Sequence, residues 1–325
     1  MILLSTPFKS RSMRPLPLVY HPAYSCPWPA THRFPMWKFA DLKAHLSKIG
    51  LANADSLHRP RDDPPHEWFE AVHDPQYYRS FLAATLGEAA ERRIGFKEET
   101  RTPALIQRTL LEVSGTVRTA ELAMRHGLAA NLAGGTHHAH RGFGSGFTIL
   151  NDLAVTAAWA RTHAGLQRVA IVDLDVHQGD GTATIFQETP DVFTFSMHCG
   201  ANFPFRKARS DWDIDVPRGA GDAEFLRLLE GALPVLLKQH RPELVLYDAG
   251  VDVFKGDQLG HLELSHAGLY KRDLYVIDTC VAAGIPTVCV IGGGYDCDAR
   301  ALARRHGLVH RAAAHVWAQR GLGGS

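Results

Sequence analysis

Asp173-Leu174-Asp175-Val176-His177 closes the apolar run 168–172 and leads directly into Gln178-Gly179-Asp180-Gly181. Alternate side chains of an extended backbone share a face, so Asp173, Asp175 and His177 leave the chain on one side. Two carboxylates and an imidazole converging there suit a divalent metal such as zinc, which takes oxygen and nitrogen donors. Taken alone, the pattern fits a charged strand end facing solvent equally well. Three further polar clusters weigh against that reading.

The first is Tyr247-Asp-Ala-Gly-Val-Asp252. Small Ala249 and Gly250 let the backbone pass close to an ion, and Asp252 is the best candidate for a third ligand after Asp175 and His177. Three protein ligands leave a coordination position open, as in catalytic zinc sites. A metal so held acidifies a bound water and polarises a carbonyl, and iron(II) could occupy the same ligands. The second cluster, Gly134-Gly-Thr-His-His-Ala139, puts His137 and His138 side by side in a glycine-rich loop. Glycine permits backbone angles that aim both rings into one pocket, and imidazoles titrate near neutrality, as proton transfer requires. Each ring needs a carboxylate to fix its tautomer, and Asp173 and Asp180 are the unclaimed acids. With 19 histidines in the chain, a pair means little by itself. His163, His240, His306, His310 and His315 fall on helical patterns or loops and receive no role. The third cluster is Gly292-Gly-Gly-Tyr295, whose glycines could swing a tyrosine hydroxyl onto a forming oxyanion. It lacks the G-x-x-x-x-G-K-[ST] pattern of a nucleotide cradle.

These residues need a scaffold that brings them together. Apolar runs predict strands at 168–174, 192–197, 243–248 and 286–291, and a shorter one at 16–20. Helical patterns cover about 102–126, 151–164, 222–239, 265–284 and 298–319, the first ended by Gly127. Strands spaced by such helices imply right-handed crossovers and a parallel sheet covered on both faces. The segments Asp173–His177, Phe195-Ser-Met-His198, Tyr247–Asp252 and Ile291–Tyr295 then sit at the carboxyl ends of the strands, where open parallel sheets bind ligands. The Pro-rich stretch 57–66 reads as a surface loop.

Composition agrees with an enzyme of this kind. The 325 residues are 45% hydrophobic and 21% charged, with a formal net charge of +1. That is an ordinary globular balance, and it argues against a broad nucleic-acid-binding surface. No apolar stretch approaches the ~20 residues of a membrane span, and the N-terminus lacks the core and cleavage site of a signal peptide. Five cysteines without C-x-x-C spacing suit reduced thiols in a cytoplasm. No repeat or linker divides the chain, so we expect an N-terminal extension over 1–15 and one domain over 16–320.

The blocks GGTHHAHRGFGSGFTILND, VDLDVHQGDGT, FSMH, YDAGVD and IGGGY, in this order, resemble the zinc-dependent histone deacetylase family. The stretches His32-Arg-Phe-Pro-Met36 and Ser210-Asp-Trp-Asp-Ile-Asp215 further resemble its compact class IV branch and bacterial relatives. The resemblance implies the arginase–deacetylase α/β fold, a mainly parallel sheet of about eight strands with helices on both faces. It implies zinc on Asp175, His177 and Asp252, His138 as general base and acid, and His137 as its electrostatic partner. Asp173 and Asp180 stand behind that pair, and Tyr295 bonds the substrate carbonyl. Gly146 and Phe147, with Phe203 opposite, match the walls of an acyl-lysine channel, and Arg33 matches an arginine of an inner product cavity. A structural potassium is implied at Asp173, Asp175, His177, Ser196 and Met197. The implied substrates are acyl-lysine peptides or proteins, with acetylpolyamines or other small N-acyl amines as the alternative. Arginase-like two-manganese enzymes need D-x-H-x-D on the metal strand, whereas this chain has D-x-D-x-H. A non-catalytic scaffold would predict loss of His137, His138 or Tyr295, and all three are present. Acyl length, oligomeric state and physiological metal are not legible in the sequence.

Overall fold

The computed structural model describes residues 14–324; the extension expected over 1–15 lies almost entirely outside them. In chain order the elements are β1 (Leu18–Val19), α1 (Lys38–Lys48), β2 (Leu57–His58), α2 (His66–Glu70), α3 (Pro75–Leu82), α4 (Glu88–Ile94), α5 (Pro103–His126), β3 (Leu128–Asn131), α6 (Asp152–Thr162), β4 (Val169–Asp173), α7 (Asp180–Phe186), β5 (Val192–Cys199), β6 (Trp212–Val216), α8 (Asp222–His240), β7 (Leu244–Asp248), α9 (His266–Ala282), β8 (Thr287–Val290) and α10 (Ala299–Gln319). The eight strands form one sheet in the order β2-β1-β3-β8-β7-β4-β5-β6, and every pairing is parallel.

Local chemistry explains the main boundaries. Thr102 caps α5 by accepting from the Leu105 amide, Pro103 occupies the first turn, and Gly127 ends the helix at φ 90°, a left-handed angle that favours glycine. Strands β3, β4, β7 and β8 are buried at every position, as expected of a sheet covered on both faces. The edge strand β6 alternates, with Asp213 and Asp215 exposed. That polarity hid it from a search for apolar runs. Strand β2 likewise lies inside the stretch 57–66 that was expected to be loop throughout.

Right-handed crossovers put α5, α6 and α7, which connect rightward along the sheet order, on one face. Helices α1, α8 and α9 connect leftward and cover the other, where α10 packs on α1 and α9. Neighbouring strands β4 and β7 send their chains to opposite faces, leaving a crevice at their carboxyl ends. In the register there, Asp173 of β4 lies beside both Asp248 of β7 and Ser196 of β5. All four sequence clusters reach this crevice.

Candidate active site

Beyond β4 the backbone folds back on its own carboxylates. Asp173 Oδ1 accepts from the Asp175 amide at 3.1 Å, and Asp175 Oδ1 accepts from the His177 amide at 2.9 Å. His177 Nδ1 then lies 3.0 Å from Asp175 Oδ1 and 3.1 Å from Asp252 Oδ2. One ligand atom from each of these three buried residues falls within 4.8 Å of the others. Glycines make the approach feasible. A Cβ on Gly250 would sit 2.2 Å from Asp175 Oδ2, and one on Gly293 would sit 2.1 Å from Asp252 Oδ2.

Charge also suits a cation. Burial alone would lower the His177 pKa, but hydrogen bonds to Asp175 and Asp252 reverse this and lift it to about 10. Burial and the nearby Asp175 charge raise Asp252 to about 6. The same negative field fits a divalent ion, which would displace the imidazole proton. The residues present therefore fit the metal that the donor pattern implies. A second group, His137, Asp173 and Asp248, also brings ligand atoms within 4.8 Å. His137, Asp175 and His177 line the inner cavity and His177 also faces the outer one, whereas Asp173, Asp248 and Asp252 line neither.

The two histidines of the Gly-rich loop are separated electrostatically although their rings are 4.2 Å apart. His137 Nδ1 bonds Asp173 Oδ2 at 2.7 Å, and His138 Nδ1 bonds Asp180 Oδ1 at 2.6 Å. Burial acts to lower the His137 pKa, but Asp173 and Asp175 outweigh it and hold the ring well above its ordinary value. His138 is also buried, and the charge on His137 adds to that effect; together they depress it to about 4 despite Asp180. One ring is thus held positive and the other neutral, a division of labour suited to acid–base chemistry. The Tyr295 hydroxyl is pushed well above its usual range by burial and by Asp252, so it stays a hydrogen-bond donor. Its ring centroid is 6.4 Å from that of His177.

The channel residues converge as well. Gly146 and Phe147 both have positive φ, 52° and 65°. A Cβ on Gly146 would meet His138 Cδ2 at 2.6 Å. Phe203 stands edge-on to His138 at 4.9 Å, and the Phe147 ring is 6.0 Å from that of Tyr295. Ser196 and Met197 are buried on β5, Ser196 in register with Asp173. Arg33 is the exception and corrects the expectation of a product-cavity arginine. It is exposed and lines the outer mouth, because Phe34 and Met36 turn inward around it. The inner cavity, about 30 Å³, is lined instead by Lys38, Arg108 and Glu112. Arg108 and Glu112 form a bidentate ion pair with two contacts of 2.7 Å.

Sequence reading missed several supports. Asp248 is buried with neither carboxylate oxygen hydrogen-bonded, and burial with the neighbouring Asp173 raises its pKa well above the usual range. Its position at a strand end, like that of Asp173, was the available signal. Asp152 accepts from the Gly135 and Thr136 amides and from the Thr116 and Thr136 hydroxyls, which fixes the histidine loop. Asp257 accepts from the Tyr295 amide at 2.8 Å. Arg272, fully buried, donates to the carbonyls of Leu174, Ala249 and Gly250 and so locks the loops after β4 and β7. Nothing local in the sequence announces the last two.

This sheet order, with its site in the crevice between β4 and β7, defines the arginase–deacetylase class of α/β fold. The Histone deacetylase domain family model matches residues 32–310, and the chain belongs to the histone deacetylase family. Family membership supports a deacetylase-type amidohydrolase. An uncharacterized protein of Picosynechococcus sp. is 50% identical over 301 residues, 93% of this chain and 99% of that one. Histone deacetylase 2 of Arabidopsis thaliana is 37% identical over 57% of this chain and 48% of its own length. In structure the chain resembles acetylpolyamine aminohydrolase from Burkholderia pseudomallei, with TM-score 0.75, 20% identity, and 93% and 99% of the two chains covered. At that identity the likeness bears on fold alone. No helix among the described residues is long and apolar enough to cross a membrane.

Proposed function

We propose that the protein is a zinc-dependent deacylase that hydrolyses the amide of N-acyl-lysine; hydrolysis of N-acetylated polyamines or other small N-acyl amines is the alternative reading. The observation that carries this reading is the pair of buried histidine–carboxylate contacts, His137 Nδ1 to Asp173 at 2.7 Å and His138 Nδ1 to Asp180 at 2.6 Å, beside the Asp175–His177–Asp252 cluster. Zinc held by those three residues would acidify water and polarise the amide carbonyl, and iron(II) suits the same ligands.

His138 works through Nε2, because Asp180 claims its Nδ1. Neutral near pH 7, it takes a proton from the attacking water as the new C–O bond forms. It returns that proton to the amine nitrogen as the C–N bond breaks, releasing a free amine and a carboxylic acid that ionises in water. The Tyr295 hydroxyl donates to the oxyanion, and the His137 charge favours the same negative centre. Phe147, Gly146 and Phe203 flank the acyl-lysine stem. A structural potassium belongs to the reading at Asp173, Asp175, His177, Ser196 and Met197, partly through backbone carbonyls. The reading includes no direct contact with nucleic acid and none with a membrane.

The test is hydrolysis by zinc-loaded protein across acyl-lysine peptides of increasing acyl length and N-acetylated polyamines, with His138→Ala as control. Peptide turnover lost in the control supports the deacylase. Polyamine turnover alone would move the assignment to small amides, and silence throughout would refute it.

A further inference from the structure

The mouth of the site is one-sided in charge. The outer pocket, about 610 Å³, is lined by Arg33 and Arg93, and among the described residues no aspartate or glutamate lines it. The two arginines share one rim, because His32 Nε2 bonds the Gly95 carbonyl at 2.9 Å and ties their segments together. Arg33 is exposed and makes no ion pair or hydrogen bond among the described residues. Arg93 is also exposed and rests its guanidinium 4.5 Å over the Phe143 ring. The acids of the same helix are engaged elsewhere, Glu88 with Arg92 and Glu91 with Arg101. Asp257, below Leu259, is buried and accepts from the backbone amides of Leu259, Gly260 and Tyr295. The opposite rim is aromatic: Phe205 is 91% exposed and lies beside Phe203.

We infer that this mouth selects N-acyl amines whose body carries carboxylates close to the acyl-bearing arm, and that it turns away cationic polyamines. The inference rests on the amidohydrolase reading above and adds the charge of its substrate. A mouth lined by one sign of charge raises the local concentration of the opposite sign, and like charges brought together there are penalised. The width of the mouth and the exposed Phe205 suit a peptide flank with an apolar surface rather than a slender, fully charged chain.

The experiment compares kcat/KM on three acetyl-lysine peptides of equal length, flanked by aspartates, serines or lysines. Free Nε-acetyl-lysine and N-acetylated polyamines complete the set, each at low and high salt. We expect the acidic peptide to exceed the basic one by about tenfold at low salt, with the ratio shrinking as salt screens the rim. Arg33→Glu/Arg93→Glu should invert the ratio, and Arg33→Lys/Arg93→Lys should preserve it. Free acetyl-lysine, a zwitterion whose ammonium offsets its carboxylate, should fall below the acidic peptide, and its outrunning every peptide would overturn the charge selection. Equal turnover of all three peptides, unmoved by charge reversal, would overturn the inference and leave the hydrolase standing. So would preference for polyamines. Silence on every amide would remove the hydrolase reading and this inference together.

Discussion

Lys38, in the first turn of α1, donates from Nζ to the Gly292 carbonyl at 2.9 Å, across 254 positions of sequence. That bond holds the glycine run whose next residue, Gly293, donates to Asp175 Oδ2 at 2.7 Å. Burial lowers the Lys38 pKa to about 8, although Glu112 partly opposes it. The unfolded chain then binds more protons than the folded one between about pH 8 and the ordinary value of 10.5, so stability rises with pH across that window. Between pH 8 and 9.5, urea unfolding should show the wild type gaining about 2 kcal/mol relative to Lys38→Met. A flat difference would mean that Lys38 does not titrate there.

Tyr295→Phe keeps the ring but loses the donor. We expect kcat to fall by roughly 10²–10³, as when one oxyanion donor is removed, with KM little changed. Steady-state kinetics on an acetyl-lysine peptide decides this, and full activity in the variant would rule out the oxyanion role.

Metal removal should abolish activity, and zinc should restore it with a rise in Tm. At a free concentration a hundred times Kd, the gain in stability is about 2.7 kcal/mol. Gly293→Ala would set a methyl 2.1 Å from Asp252 Oδ2 and 2.7 Å from Asp175 Oδ2. Its zinc affinity, measured by competition with a chelator, should drop at least about tenfold, as when the shell around a metal site is disturbed. Unchanged affinity would argue against the three-residue site.

His73 is buried between two elements, bonding the His140 carbonyl through Nδ1 and accepting from the Asn151 amide at Nε2. Burial depresses its pKa to about 4. Between pH 6.5 and 4 the unfolded chain takes up a proton that the folded one refuses, so stability is lost as pH falls. The loss from this group is on the order of 3 kcal/mol by pH 4. His73→Gln should show a correspondingly shallower acid slope in urea unfolding, and an identical slope would exclude His73 as its source.

The sequence alone determined the central strands of the sheet and the chemistry at their ends, but not β2, β3 or β6, which are short or polar. Strands such as β4 and β7 are continuous apolar runs because both their faces are buried. Asp173 closes β4, and the turn after it, held by the Asp173 and Asp175 carboxylates, brings Asp175 and His177 to Asp252 while Asp173 joins His137. Acids, imidazoles and glycines at strand ends are local signals, and local signals survive in one dimension. Tertiary structure decided what depends on the company a residue keeps. Arg33 and Lys38 stand five positions apart, yet one faces solvent at the mouth and the other is buried against Gly292. No property of an arginine or a lysine separates those fates; the packing of α1 against α10 does. Likewise His137 and His138 are identical neighbours in sequence. Only in the fold do Asp173 and Asp175 hold the His137 ring positive, while burial and that charge keep His138 neutral against the opposing pull of Asp180, because electrostatic fields depend on distance through space and not along the chain.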